Sequence, residues 1–144
     1  LSSENTLMIN APLVCDDTLQ TNDIARIYPD GSFTILGRKD NVINSGGIKV
    51  QAEEIERVLQ SSIPVPFVIT SVPDRRLGQA VTLLIEGQME ISALGTKLES
   101  VLASYYRPKY IYTVNHIPQT GNGKINRKEC RVLAESLQLL GRQE

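Results

Sequence analysis

The run PQTGNGKINRK, from Pro118 to Lys128, carries Lys124 directly behind the glycines Gly121 and Gly123. A lysine so placed is a compact cation on a turn-prone stretch, suited to meet an anionic reacting group such as a carboxylate or a phosphate. The run is not a Walker loop, which needs four residues between its first glycine and Gly-Lys, and then Ser or Thr for magnesium. Here Gly121 is two positions from Gly123, and Ile125 follows the lysine. On residue type alone Lys124 reads more simply as a solvated cation in a polar turn, because lysines in loops are ordinary.

Asp23 and Arg38 have a second possible chemistry. A carboxylate can accept hydrogen bonds from both hydroxyls of a ribose, and a guanidinium can donate to a sugar or a phosphate. Taken singly, Asp23 after Thr-Asn is more often a turn or cap residue, and Arg38 in GRKD can simply pair with a nearby acid. Gly46 and Gly47 permit positive φ and the close approach of another backbone or a thin ligand, although an ordinary hairpin turn asks for the same residues. His116 has no serine, cysteine or carboxylate at a recognisable spacing and reads as structural. Tyr105, Tyr106, Tyr110 and Tyr112 read as packing rather than base-stacking residues, since no basic excess accompanies them. Cys15 and Cys130 lie far apart and fit no metal-ligand spacing, so neither a metal site nor a disulfide framework is expected, and reduced cytoplasmic thiols are.

The elements that must position these residues can be read from the pattern. The chain has 144 residues, is 41% hydrophobic and carries a formal net charge of -1. That is enough for one modest core plus a piece of another domain, and it offers no field to attract nucleic acid or an anionic membrane. Apolar runs such as VTLLI are too short to span a bilayer, and no basic-then-apolar leader opens the chain. The first residues, LSSENTLMIN, lack an initiator methionine, which suggests a piece of something larger.

LMINAPL and ARIYPDGSFTIL look like short strands, the latter a hairpin about Pro29, Asp30 and Gly31. From Gly37 to Gly47 the texture turns small and polar, as for a connector and then a tight ribbon. Ala52, Ile55, Val58 and Leu59 recur at helical spacing, with Glu53, Glu54 and Glu56 at the end where the helix dipole favours anions. VPFVITSV and QAVTLLIEG predict two strands about the turn PDRRLG, and Ile91, Leu94, Leu98, Val101 and Leu102 predict a helix ended before Pro108. KYIYTV predicts a further strand, and Val132, Leu133, Leu137 and Leu140 a last helix. The expected fold is α+β, a small mixed sheet with packed helices, with a boundary that separates 1–39 from 40–144.

In combination, TND (Thr21 to Asp23), GRKD (Gly37 to Asp40), SGG (Ser45 to Gly47), AEEIE (Ala52 to Glu56) and PQTGNGK (Pro118 to Lys124) resemble the ordered late motifs of the adenylate-forming enzymes. These are the acyl-CoA synthetases, peptide-synthetase adenylation domains and luciferases. VPDRRLGQAV resembles the same family's middle segment, so the resemblance covers nearly the whole chain. The order and spacing carry it, since each motif alone is weak.

The resemblance implies that residues 1–39 are the tail of a large N-terminal adenylating domain and 40–144 its C-terminal lid. Members make an acyl-adenylate from a carboxylic acid and ATP with Mg2+, then usually pass the acyl group to a thiol such as that of CoA. Carried over by position, Asp23 and Arg38 would hold the ribose hydroxyls, Asp40 would be the hinge, and Lys124, on a mobile loop, would bridge the carboxylate and the AMP phosphate. Gly46 and Gly47 would line the CoA tunnel. The chain departs from the pattern at Asn22, where glycine is usual, and Lys49 stands where many members have other polar or aromatic residues and is given no role. The early phosphate loop, the acyl pocket and the residues expected to hold Mg2+ are not in this sequence, so the chain alone is not expected to catalyse the reaction. NVINSGGIKVQAEEIE looks most like the o-succinylbenzoate-CoA ligases of menaquinone synthesis, and the ending GRQE, without a carrier domain, favours a CoA ligase over a peptide synthetase. The alternative is an adenylation domain of another type, from a peptide synthetase or another acyl-CoA synthetase, or a non-catalytic nucleotide-binding or interaction domain.

Overall fold

Along VITSV and AVTLLI the side chains alternate between two buried faces. In the computed structural model, which describes residues 1–10, 13 and 17–142, Ile69, Val81, Leu83 and Ile85 enter one apolar cluster, and Val68, Val72, Ala80 and Leu84 enter another. Successive residues of a strand point to opposite faces, so a sheet covered on both sides needs near-continuous apolar runs. Cys15 and the end of the LMINAPL run lie outside the described residues.

The chain forms two compact units, Leu1–Val42 and Ile43–Glu144. The second unit contains most of a five-stranded sheet. Strands β4 (Val42–Ser45) and β5 (Ile48–Gln51) form the ribbon, and helix α1 (Ala52–Leu59) follows. Strands β6 (Phe67–Asp74) and β7 (Gly78–Glu86) pair antiparallel from Phe67 opposite Ile85 to Asp74 opposite Gly78. After helix α2 (Ile91–Val101), strand β8 (Tyr110–Val114) returns parallel to β7, and helix α3 (Arg127–Arg142) closes the order. The β, α, β, β, α, β, α order read from the sequence is the one observed, with β5 completing the ribbon.

Each helix buries a narrower stripe than its apolar residues suggest. On α1, Ala52, Ile55 and Leu59 are buried and Val58 is exposed, and on α2 Leu94 and Leu98 are buried while Ile91 and Val101 face outward. Ile91 and Val101 share the helical spacing of Leu94 and Leu98, but they are the first and last residues of α2 and stay exposed there. Helix α3 differs most from expectation. Cys130, Ala134 and Gln138 are its buried residues, flanked by Leu133 and Leu137, and Val132 and Leu140 are exposed. Small residues let the helix lie close to the sheet, and the Gln138 side chain donates to the Pro73 carbonyl at 2.9 Å, so its burial leaves no amide unpaired. Arg107 ends α2 by donating to the carbonyls of Leu102 and Glu99, both at 3.0 Å.

The first unit is an antiparallel sheet, β1 (Thr6–Ile9), β2 (Leu19–Ile27) and β3 (Phe33–Arg38), in that spatial order. The β2–β3 hairpin turns where the sequence predicts: Asp30 accepts from the Ser32 backbone at 2.9 Å and its hydroxyl at 2.6 Å, and Gly31 takes a φ of +88°. Buried Thr6 is tied to Ser2 at 2.6 Å and accepts from the Gln20 side chain at 3.1 Å.

Candidate functional site

Lys124 stands on a closed hairpin rather than a slack loop. The Thr120 N–H donates to the Lys124 carbonyl at 2.7 Å, the Gly123 N–H returns to the Thr120 carbonyl at 3.0 Å, and the Asn126 N–H reaches the Pro118 carbonyl at 2.9 Å. Gln119 and Ile125 face each other across it as an isolated bridge. Gly123, at a φ of +78°, makes the turn that a side chain would strain, and the exposed lysine follows it. Any large displacement of Lys124 therefore requires the hairpin to travel with its support.

That support is polar at both ends. On entry, the Ile117 N–H donates to Glu86 Oε2 at 2.9 Å. On exit, Asn126 caps α3, its carbonyl accepting from the Cys130 N–H at 3.0 Å and its Oδ1 from the Glu129 N–H at 3.2 Å. Arg127 then meets Glu56 of α1 through two hydrogen bonds, Nη1 to Oε1 at 2.8 Å and Nη2 to Oε2 at 2.9 Å. The sequence placed Glu56 only in a dipole-friendly helix start, and the Glu56–Arg127 pair went unseen because 71 residues separate its partners. His116 is almost wholly exposed, with Nδ1 4.0 Å from Glu86 Oε1. Burial pushes the free Cys130 thiol up to about 11, which keeps it an unreactive packing residue. Tyr110 and Tyr112 stack at 6.2 Å against the second cluster, in line with a packing role. A groove of about 630 Å3 opens beside the hairpin, lined by Pro64, Pro66, Phe67, Ile117, Gln119 and Ile125 among others. Its lining contains no Lys or Arg side chain.

Gly46 and Gly47 form the turn of the β4–β5 ribbon at φ of +60° and +83°, as a two-residue turn of the I′ kind requires. The Gly46 N–H donates to the Leu77 carbonyl at 2.8 Å, and a Cβ at Gly46 would stand 3.2 Å from Leu77 Cδ2. At Gly47 no atom lies near a Cβ, so one glycine is braced and the other open. The bracing turn is built by Asp74, whose Oδ1 accepts from the N–H groups of Arg76 and Leu77 at 2.9 and 3.0 Å.

In the first unit, Asp23 and Arg38 are brought together as direct cross-strand partners of β2 and β3, with Arg38 Nε 3.5 Å from Asp23 Oδ1. A register shift between Ile24 and Ala25 bends the ladder beside them, and the Asp23 N–H donates to Thr21 Oγ1 at 3.2 Å. Both charges stay reachable, at 32% and 56% side-chain exposure. Asp40 is exposed in the middle of a single 3-10 turn, Lys39–Asn41. Among the described residues no group of three or more His, Cys, Asp or Glu is placed to hold a metal ion, and no helix is long and apolar enough to cross a membrane.

The structure thus combines a strand ribbon, a sheet with helices on both faces and a hairpin that carries an exposed lysine behind a glycine. No protein-family model matches the chain. Over 126 residues it is 38% identical to triostin synthetase I of Streptomyces triostinicus, an alignment spanning 84% of this chain and 24% of that protein. Over 113 residues it is 32% identical to the 2-succinylbenzoate–CoA ligase of Lactococcus lactis, covering 78% and 25% respectively. Among solved structures, an AMP-forming acyl-CoA synthetase/AMP-acid ligase II-like protein from Dyadobacter fermentans superposes with a TM-score of 0.61 at 31% identity, over 90% of this chain and 39% of that one. The chain belongs to the adenylate-forming superfamily, as its C-terminal part. It spans about a quarter of the length of the curated relatives it matches.

Proposed function

We propose that the chain is the C-terminal part of an ATP-dependent, AMP-forming acid-CoA ligase, which joins a carboxylic acid to AMP and then moves the acyl group to the CoA thiol. The observation that carries this reading is Lys124, exposed on a hydrogen-bonded hairpin behind Gly123, in a chain whose relatives include CoA ligases. When acid and ATP meet, the lysine ammonium offsets the charge that gathers between carboxylate and phosphate. Asp23 and Arg38, adjacent across β2 and β3, suit the two hydroxyls of a ribose. Asp40, in the short turn ahead of the ribbon, is the pivot, and Gly46 and Gly47 give a thin acceptor arm room to pass. Mg2+ accompanies ATP, and no residue of this chain is assigned to it. The missing adenylating domain of the same protein is the partner, and the cytoplasm the setting.

For the acid itself, o-succinylbenzoate is our first choice, supported by the likeness of NVINSGGIKVQAEEIE to ligases for that acid and by the identity to the Lactococcus lactis relative. The higher identity to triostin synthetase I favours a second reading, an adenylation domain whose thiol acceptor is not CoA. Supplying the whole enzyme with acid and ATP, and then with either CoA or a carrier-bound thiol, separates the two by which thioester forms.

Lys124→Ala in the whole enzyme tests the central role. Pyrophosphate exchange driven by the acid should fall by about 100-fold or more, as for loss of one charge-stabilising group. Thioester formation from supplied acyl-adenylate should stay within a few-fold of the parent. An equal fall in both half-reactions would remove Lys124 from the first one.

A further inference from the structure

The hairpin that carries Lys124 has little of its own to hold its direction. An isolated two-stranded hairpin is marginal in water, and apart from buried Ile117 at its entry it contributes no fully buried apolar side chain to the core. Its direction must come from its two ends. Ile117 is held by Glu86 on entry, and on exit the chain runs straight into Arg127.

Arg127 occupies a place where a cation needs a reason. It is the first residue of α3, where the helix dipole disfavours positive charge, and its side chain is only 28% exposed. The reason is the fork onto Glu56, two parallel hydrogen bonds of 2.8 and 2.9 Å, a geometry that fixes angle as well as distance. Glu56 is itself 15% exposed and accepts from the Ile69 N–H at 3.3 Å, while Ile69 is paired with Leu83 in the centre of the sheet. The exit of the hairpin is thereby tied to α1 and to the sheet.

We propose that Glu56 and Arg127 are positioning residues for Lys124, setting the angle at which the hairpin leaves the sheet and so where the ammonium is delivered. This rests on the reading of Lys124 given above. The three residue steps from Lys124 to Arg127 span about 10 Å of extended chain, so a tilt of about 10° at the exit moves the lysine by about 2 Å. Misplacement of about 1 Å can cost a reaction about 100-fold. Arg127→Lys would keep the charge and lose the fork, and Glu56→Gln would keep the shape and lose the charge.

Arg127→Lys and Glu56→Gln, made separately in the whole enzyme beside a Lys124→Ala control, decide the matter. The expected result is a loss of about 10- to 100-fold in adenylate formation, thioester formation from supplied acyl-adenylate within about three-fold, and faster amide hydrogen exchange at Thr120 and Asn126 with Leu83 unchanged. A merely structural pair would lower both half-reactions together, in step with melting temperature, and that result overturns the proposal. Unchanged adenylate formation in both pair variants, with Lys124→Ala crippled, overturns the positioning role and leaves the reading of Lys124 intact. Unchanged adenylate formation in all three variants overturns both. Should Arg127→Lys fail to fold, the milder Glu56→Gln still distinguishes these outcomes.

Discussion

The two units of the molecule solve the problem of burial differently. In Ile43–Glu144 one sheet separates two apolar clusters, with α1 and α2 supplying residues to one and α3 to the other. In Leu1–Val42 the buried residues among those described are Thr6, Ala25 and Gly37, and Met8, Ile9, Leu19, Ile27, Phe33 and Ile35 are all at least 38% exposed. A three-stranded sheet of such composition has apolar surface to bury and no layer of its own to bury it under. The second unit is a domain in the energetic sense, and the first is a sheet whose stability depends on what covers it. The proposed roles divide along the same line: the candidate nucleotide residues Asp23 and Arg38 belong to the first unit, and Lys124 and the glycine ribbon to the second.

The sharpest way to break this comparison is to separate the units. Residues 43–144 alone should unfold in one cooperative transition, since both clusters lie wholly within them, whereas 1–42 alone should give none. Circular dichroism through a thermal melt is sufficient. A cooperative transition in isolated 1–42 would show that its sheet carries a core after all.

Within the intact chain the same contrast should appear as a difference between single substitutions. Leu83 is fully buried in the first cluster, and Leu83→Ala should cost about 2–5 kcal/mol through lost transfer energy and the cavity left behind. Phe33, 53% exposed, should cost no more than about 0.5 kcal/mol on the same change. Urea midpoints measure both. Comparable losses would mean that Phe33 is buried in solution.

Most of the second unit was legible in the sequence because its signals are local. The apolar runs of β6 and β7, the four-residue spacing of Leu94, Leu98 and Leu102, and the Gly46-Gly47 pair each dictate their own geometry within a few residues. Asp23 and Arg38 could be singled out by type, yet only the β2–β3 register makes them neighbours. What pattern could not reach is long-range. Glu56 and Arg127 lie far apart in the chain, and neither the dipole at α1 nor the GNGK run hints at the other. Nor could α3's buried face be found by hydrophobicity, since Cys130, Ala134 and Gln138 displace the larger Val132 and Leu140. Close approach of a helix to a sheet selects for size and for a satisfiable amide, which an apolar stripe does not encode.

The smallest effect concerns how each unit uses an ion pair. Asp23 and Arg38 stand 3.5 Å apart and both partly exposed, a contact of modest worth in water. Asp74 and Lys109 stand 2.6 Å apart, with the carboxylate at 5% side-chain exposure. The Lys109 hydrogen bond, followed by the N–H groups of Leu77 and Arg76, draws the Asp74 pKa down to about 2, and Lys109 is correspondingly raised. Because the folded carboxyl titrates below its unfolded value of about 3.9, its contribution is fully present above that value and is lost as pH falls through about 2. Asp74→Asn removes this linkage and weakens the turn that braces Gly46. Melting temperatures of residues 43–144 between pH 4 and pH 2 should fall more steeply for the parent than for Asp74→Asn, the two curves converging at the acid end. Parallel curves would mean that the Asp74 carboxyl titrates alike in the folded and unfolded chains, and that the two units do not differ in how they hold their charges.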